Sequence, residues 1–300
     1  MKQKTLFILV LILSISFSSV AQNTEIKSHR RSYLKLAEYK NKFPDKKIVF
    51  TKGKYQVYKN DTLILIEDKA YLNRVSVPYE EKDSTFLEIY KDIVYRKYSN
   101  KESASRQKEY MRLWNRPIKI YFASSLDSYY KDVVFKAATS LSEKIDSLNI
   151  SFVKEAKDAN YVIYQIKDEN PIQYTSKINN NNYIDYYISW NRNRIYDTAL
   201  EVNLLKYKQF PKEIHANYIL QNFYQTLGRF YKTNKLPCKS MFSVCNKSNK
   251  QFTEKDLELL KYHYSYGICK FTDLKTFEEI HNKTKAKLKK GNRVRFYHQY

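Results

Sequence analysis

Two glutamine side chains, Gln221 and Gln225, lie four residues apart in a segment with helical periodicity, and Asn222 follows the first. Residues at this spacing project from one face of a helix. Carboxamides are neutral, so near neutral pH they neither hold zinc strongly nor abstract a proton, but they donate and accept hydrogen bonds. We interpret this face either as a patch that binds a ligand or as a polar surface satisfied by solvent and backbone.

The chain has five histidines, and no two of them have the i, i+4 spacing that directs two imidazoles to one metal ion. His215 belongs to the same helical segment but precedes Gln221 on a different part of its surface. A displaced metal site would have to combine Glu213, His215 and His263. We predict no metal and no cofactor, and we keep the displaced site as an alternative.

An amphipathic helix over residues 213–230 positions these side chains. Gly228 near its end is expected to supply a left-handed turn that stops the helix. Apolar residues recur at steps of three and four and form the buried face: Ala216, Leu220, Phe223, Leu227 and Phe230.

The segments on either side of this helix have a regular order. Upstream, the patterns predict one strand, a long helix, two further strands and a hairpin; downstream, they predict another helix. In chain order the predicted elements are Ile118–Phe122, about Asp127–Ile145, Ile150–Val153, Ala159–Ile166, the hairpin of Tyr183–Trp190 with Ile195–Leu204, and Thr253–Tyr264.

This order, with Gln221, Gln225, Gly228 and Tyr231 at the spacing of H-E-x-x-H-x-x-G-x-x-H, resembles the zincin fold in its metzincin branch. The glycine matches, whereas the three zinc ligands and the glutamate base do not. The resemblance covers about residues 114–281. It implies an α+β fold, with a zincin-like mixed sheet packed on two long helices, preceded by a small, mostly β N-terminal region.

The resemblance implies an exported zincin-like pseudoenzyme that acts as a binding or envelope-associated module. Its vestigial cleft would use Gln221, Asn222, Gln225, Tyr231 and His215. In zincins an edge strand above the cleft aligns peptides by backbone pairing, and by resemblance residues 198–204 take that place. An extended peptide is therefore an expected partner. An active metal-dependent peptidase or hydrolase with a displaced site is the alternative.

Residues 1–21 have the pattern of a cleaved export signal. Lys2 and Lys4 precede the apolar run Leu6–Phe17, and a small-x-small site ends at Ala21. We therefore expect a secreted or periplasmic protein, cleaved near Ala21, with no membrane-spanning segment after cleavage. The mature chain is expected to divide into residues 22–110 and a zincin-like domain at residues 111–300.

The formal net charge of +23 favours anionic partners. A basic binding protein for an anionic envelope polymer is therefore a third hypothesis, without specific nucleic-acid recognition. The lysines are spread along the chain, and only the C-terminal tail at residues 283–295 concentrates them. That tail is interpreted as a solvated helix end or a frayed terminus.

Three cysteines, Cys238, Cys245 and Cys269, suit the oxidising compartment that an export signal implies. An odd number leaves one thiol unpaired within the chain. Cys238 and Cys245 flank a short loop and can form a local disulfide, and Cys245 with Cys269 is the alternative.

Overall fold

The computed structural model describes residues 33–48, 50–51, 53–66, 75–97, 109–167, 174–178, 183–205, 207–245 and 249–298. The expected export signal lies outside these ranges. The chain forms two compact units, which divide between Arg74 and Val75. Residues 22–110, which were expected to form one N-terminal region, are therefore divided between the two units. The helix at Ser84–Tyr95 belongs to the second unit, because its apolar face contributes to the core of that unit.

The first unit contains a small antiparallel sheet. Its elements are β1 (Tyr33–Lys35), α1 (Leu36–Lys42), β2 (Tyr55–Tyr58) and β3 (Asp61–Leu65), and β3 lies between β1 and β2. Lys59 and Asn60 adopt left-handed φ angles of 48° and 62° in the turn of the β2–β3 hairpin. Such angles match the twist of a two-residue hairpin.

In its described residues the second unit combines a mixed sheet with five helices, so the predicted α+β class is confirmed. Its elements are β4 (Val75–Pro78), α2 (Ser84–Tyr95), β5 (Leu113–Trp114), β6 (Ile118–Phe122), α3 (Ser128–Lys144), β7 (Ile150–Phe152), β8 (Tyr161–Ile166), β9 (Ile184–Asn191), β10 (Arg194–Asn203), α4 (Lys212–Thr226), α5 (Glu254–Tyr264), α6 (Leu274–Lys289) and β11 (Arg295–His298). Within the described ranges, none of the helices combines the length and apolar composition needed to cross a bilayer.

The main sheet has six described strands: β7, β6, β8 and β10 are neighbours in that order, and β5 and β9 each pair with β10, β5 in parallel. Strands β7, β6, β8 and β10 run parallel, whereas β9 runs antiparallel to β10. The assignment of residues 198–204 to an edge strand was wrong, because β10 pairs with β8 and β9 at the same time. Among the described residues β9 pairs only with β10, so the edge position belongs to Ile184–Asn191.

Helices α3 and α4 pack on each other and on the sheet. Asp127 caps α3 by accepting a hydrogen bond from the amide of Tyr129 at 2.9 Å. The buried face of α3 consists of Tyr130, Val134, Ala138 and Leu141, whereas Val133 and Ala137 are only partly buried. The four buried side chains and Phe223 of α4 belong to one continuous core.

Helix α4 ends at Thr226, and Gly228 does not supply the left-handed residue. Arg229 does so, with a φ of 51°. The position of Gly228 needs a glycine for a different reason. A Cβ atom there would lie 2.6 Å from Cε2 of Phe230 and 2.8 Å from Nε2 of His263. Close packing, and not backbone conformation, therefore excludes a side chain.

The basic C-terminal tail is ordered in the described residues. Its first half is the end of α6, as one interpretation anticipated, but its second half leads into β11. Strand β11 pairs antiparallel with β4, from Arg295 opposite Pro78 to His298 opposite Val75. This pairing holds the end of the described chain and excludes a frayed terminus up to His298.

Candidate functional site

The three predicted amides of α4 are held by backbone carbonyls. Gln221 donates from Nε2 to Met241 at 2.9 Å, Gln225 from Nε2 to Gln221 at 3.2 Å, and Asn222 from Nδ2 to Tyr218 at 2.8 Å. Gln221 and Gln225 are buried. Gln225 also accepts a long hydrogen bond, 3.5 Å, from the hydroxyl of Tyr186 in β9. The amides therefore anchor the helix, and Gln225 connects it to the edge strand.

Tyr231 leads to a polar cluster just beyond the end of α4. Its hydroxyl donates to Oε1 of Glu109 at 2.8 Å. The other carboxylate oxygen, Oε2, accepts from Nη1 of Arg112 at 2.9 Å and from Nη1 of Arg229 at 3.0 Å. Three donors thus converge on one carboxylate. We call Glu109, Arg112, Trp190, Arg229 and Tyr231 the Glu109 cluster.

Trp190, near the end of β9, supplies the aromatic member of the cluster. The Cζ atoms of Arg112 and Arg229 lie 4.2 Å and 4.8 Å from its ring centre, which is cation–π distance. Arg96 lies in the same way 4.7 Å from the ring of Tyr231. Trp190 is 36% exposed and Arg112 is only 3% exposed. The indole is the accessible face of a cluster whose charged members are largely covered.

The charges of the Glu109 cluster do not cancel. Burial raises the pKa of Glu109, but the hydrogen bonds from Arg112 and Tyr231, and the charge of Arg229, lower it overall. Burial lowers the pKa of Arg112, although a guanidinium stays charged near neutral pH. Burial raises the pKa of Tyr231 to about 12, so this phenol is neutral. Two cations and one anion leave an excess positive charge.

Arg112 also carries an unused donor. Its Nε atom is buried and has no hydrogen-bond partner in the part of the chain that the structure describes. A buried donor without a partner is unfavourable by about 1–3 kcal/mol. The cluster therefore has an excess positive charge, and Arg229 is the arginine that a further anionic oxygen can reach, because Nε of Arg112 is buried.

His215 belongs to a different part of the molecule. It lies ten residues before Gln225 in α4, about 15 Å along the helix axis at 1.5 Å per residue. Its ring packs against the rings of Tyr130, Tyr183 and Phe210. The structure thus brings Gln225 and Tyr231 towards one site and places His215 in another.

The residues considered for a displaced metal site do not form one. Among the described residues no group of three or more His, Cys, Asp or Glu side chains has the arrangement of a metal site. His263 is fully buried, with Nδ1 3.1 Å from the hydroxyl of Tyr90 and Nε2 2.9 Å from the carbonyl oxygen of Arg112. Both ring nitrogens are therefore occupied by protein groups.

The outer edge of β9 borders the Glu109 cluster through Trp190. The amide of Tyr186 donates to Oδ1 of Asp185 at 2.8 Å and not to β10, so it points away from the sheet. Backbone groups alternate in direction along an antiparallel strand, so the other outward amides and carbonyls of β9 have no strand partner among the described residues. The edge and the cluster together form the candidate site.

Four members of this site were not predicted from the sequence, namely Glu109, Arg112, Trp190 and Arg229. Glu109 and Arg112 lie at the expected boundary between residues 22–110 and 111–300, and Trp190 was assigned only to a strand. The sequence feature that comes nearest to indicating this site is Arg229, because it directly follows Gly228, the glycine that matches the metzincin spacing. No protein-family model matches the chain, and no curated protein sequence matches it either. The site is therefore interpreted from its own geometry.

Proposed function

We propose that this chain is an exported zincin-like pseudoenzyme, a non-catalytic module that binds an extended peptide carrying an acidic group. A mixed sheet with an antiparallel edge strand, packed on two long helices, supports the resemblance that motivated this proposal. The second of these helices carries amides at Gln221 and Gln225, where a zincin has histidines. Their donors are engaged with backbone carbonyls.

The observation that carries the proposal is the position of Arg112 and Arg229 on Trp190, at the end of the edge strand. Guanidinium groups bind carboxylates through charge-assisted hydrogen bonds. Here two of them share a single carboxylate, that of Glu109, and Arg229 is the more exposed of the two. The chemistry of the site is thus that of anion recognition.

In the proposed complex the peptide adds to β9 as a further antiparallel or parallel strand. Its backbone pairs with the outward amides and carbonyls of β9, which gives affinity without dependence on sequence. An acidic side chain near one end reaches the Glu109 cluster, and this contact gives specificity. Trp190, exposed beside the cluster, packs on the apolar part of that side chain.

The test uses mature protein and N-acetylated, C-amidated hexapeptides of Thr and Val with either Glu or Gln at one position. Calorimetry should show tighter binding of the Glu peptide by about tenfold, the effect of one charge-assisted hydrogen bond. Arg229→Gln should abolish the difference. Arg192→Gln should preserve it, and this control is matched because Arg192 also has a left-handed φ, 46°, but lies in the exposed β9–β10 turn.

Equal binding of the two peptides, or equal loss in both variants, would overturn the proposal. N-methylation of alternate residues in the peptide tests backbone pairing, because it removes the amide hydrogens that would bond to β9. Methylation of the set of residues whose amides face β9 should abolish binding. Mass spectrometry of the same mixtures shows whether a peptide is cut, and cleavage would contradict a non-catalytic role. Salt-sensitive binding to lipopolysaccharide that Arg229→Gln leaves unchanged would instead support the basic binding protein.

A further inference from the structure

Strand β2 of the first unit leaves a group of apolar side chains in solvent. Ten large hydrophobic side chains are exposed among the described residues, and four of them fall within nine positions of β2 and the segment before it. They are Phe50, Tyr55, Val57 and Tyr58, with exposed fractions of 55%, 37%, 67% and 61%. The rings of Phe50 and Tyr55 meet edge to face, with their centres 5.5 Å apart. A group of exposed apolar residues indicates an interaction surface, whereas single ones do not. We call these four residues the β2 patch.

The β2 patch lies at an open edge of its sheet. Strand β3 pairs with both β1 and β2, and β2 has no second partner strand among the described residues. The carbonyl of Lys54 accepts a hydrogen bond from the amide of Leu65 in β3 at 2.8 Å. Because backbone groups alternate along a strand, those of Tyr55 and Val57 point outward. Two outward residues offer too few hydrogen bonds for an added strand to bind firmly, so the side chains determine what this surface binds.

Positive charge borders the β2 patch. Residues 46–66 contain five lysines and a single acidic residue, Asp61, which already pairs with Nζ of Lys35 at 2.6 Å. Nζ of Lys59, directly after β2, lies 5.5 Å from the centre of the Tyr58 ring. A lysine beside an exposed ring adds the apolar surface of its stem and keeps its ammonium group in water. The surface therefore combines exposed aromatic and aliphatic groups with an excess of cations.

This combination of charge and apolar surface selects the partner. A second copy of the chain, paired edge to edge through β2, would bring Lys54 and Lys59 of both copies together with no acidic residue in either strand. Like charges across paired strands are destabilising, so self-pairing is disfavoured. An anionic bilayer surface suits both features, because aromatic side chains favour the level of the lipid headgroups and lysines are attracted to the headgroup phosphates.

We propose that the β2 patch docks the first unit on the surface of a bilayer that contains anionic phospholipid. The four side chains of the patch enter the headgroup region, while Lys54 and Lys59 contact the phosphates. Apolar burial and charge attraction are both needed, since a small apolar group alone gives only marginal membrane binding. The surface is independent of the Glu109 cluster, which belongs to the second unit, and of peptide binding.

The experiment sediments mature protein with sucrose-loaded vesicles of phosphatidylcholine, either alone or with phosphatidylglycerol. Binding should require phosphatidylglycerol and should weaken as salt is added, because salt screens the lysines. Phe50→Ser with Val57→Ser should weaken binding about tenfold without a change in charge. Lys54→Gln with Lys59→Gln should weaken it by a similar factor, about tenfold. Hydrogen exchange of the bound protein should show protection centred on residues 50–59.

The matched apolar control is Phe135→Ser with Val244→Ser, which changes the same residue types at exposed positions of the second unit. The matched charge control is Lys283→Gln with Lys287→Gln, at exposed positions of α6. Both should bind vesicles like the unaltered chain. Equal weakening in either control, protection centred on α6, or absence of vesicle binding would overturn the proposal. Binding of soluble dextran sulfate that depends equally on the β2 patch would also overturn it, by indicating a polyanion site. None of these outcomes bears on the peptide proposal.

Discussion

The guanidinium carbon of Arg112 lies 4.2 Å from the centre of the Trp190 ring, while Nη1 of the same residue donates to Glu109 at 2.9 Å. One buried arginine therefore connects the end of the edge strand with a carboxylate. Arg229 makes the same two contacts from the chain that follows α4. The exposed indole of Trp190 and the covered charged groups are thus linked by direct contacts. The contribution of each residue to stability can be measured by substitution.

Removing the carboxylate of Glu109 should destabilise the fold. Glu109→Gln keeps the shape of the side chain but leaves Arg112 and Arg229 without an ionic partner, and breaking such a buried pair costs about 3 kcal/mol. Urea denaturation at pH 7 measures the loss. The pKa of Glu109 is lowered on folding, so its contribution is present above its unfolded value, near 4.3, and disappears as pH falls below that.

The difference between the unaltered chain and Glu109→Gln should therefore shrink between pH 5 and pH 3. A matched control is Glu258→Gln, which removes a carboxylate from the more exposed pair with Lys82 and should cost less than 1 kcal/mol, as surface pairs do. Equal effects of the two substitutions at pH 7 would contradict the central role of Glu109.

Trp190 should contribute stability through its two arginine contacts. Trp190→Ala is expected to cost about 1–2 kcal/mol, and Trp190→Phe less, because the smaller ring keeps part of the cation–π attraction. Tyr196→Ala is a matched control, since Tyr196 is 37% exposed and has one distant arginine, Arg116, at 5.9 Å. Thermal or urea unfolding of the three variants gives the comparison. A Tyr196→Ala loss as large as that of Trp190→Ala would count against the prediction.

The stability of the protein should fall as pH decreases from 7 to 5. Burial, followed by the charge of Lys270, lowers the pKa of His263 to about 3, whereas an unfolded histidine titrates near 6.5. Below pH 6.5 the unfolded chain binds a proton at this position that the folded chain does not, so His263 alone contributes a loss of about 1.4 kcal/mol per pH unit until its folded pKa is reached. His281, whose pKa burial lowers to about 4, adds a loss of the same sign to the slope.

Urea denaturation across this pH range measures that slope. Nitrogen NMR of the imidazole rings provides the direct check, because His263 should remain neutral at pH 5 in the folded protein. Protonation of His263 at pH 6 without unfolding would refute the prediction.

The disulfide between Cys238 and Cys245 confirms the first of the two predicted pairings, and Cys269 is a free thiol. The disulfide closes a short loop, and Cys238→Ser with Cys245→Ser should cost about 2.5 kcal/mol by the chain-entropy argument. Cys269→Ser is the control and should leave that contribution intact. Urea denaturation gives the stabilities, and a thiol assay in urea should find one thiol per chain. Three thiols, or none, would contradict this pairing.

Much of the secondary structure was predictable, because the signals are local. The spacing of Ala216, Phe223 and Leu227 depends only on the helical repeat, and these residues are buried as expected. The β9–β10 hairpin was also predicted, yet the position of β10 in the sheet was not. Which strand lies at an edge depends on pairing with β8, a contact between segments distant in the chain.

Gly228 shows how a local rule can fail. A glycine near a helix end usually indicates a left-handed residue. Here the side chains of Phe230 and His263 occupy the space beside Gly228, and Arg229 takes the left-handed conformation. The sequence shows the glycine itself. The physical reason why no side chain fits at this position depends on His263, a residue of α5.

The sequence by itself determined the periodicities of the strands and helices, the neutral amides at Gln221 and Gln225, and the cysteine pair that flanks a short loop. Each of these follows from neighbouring residues. Only the tertiary structure assembled the Glu109 cluster, where Glu109 and Tyr231 meet across 122 positions of the chain. The separation of His215 from Gln225, by contrast, follows from their spacing within one helix. Contacts of this kind form when the core packs, and side chains that pair across such distances leave no periodic pattern in the sequence.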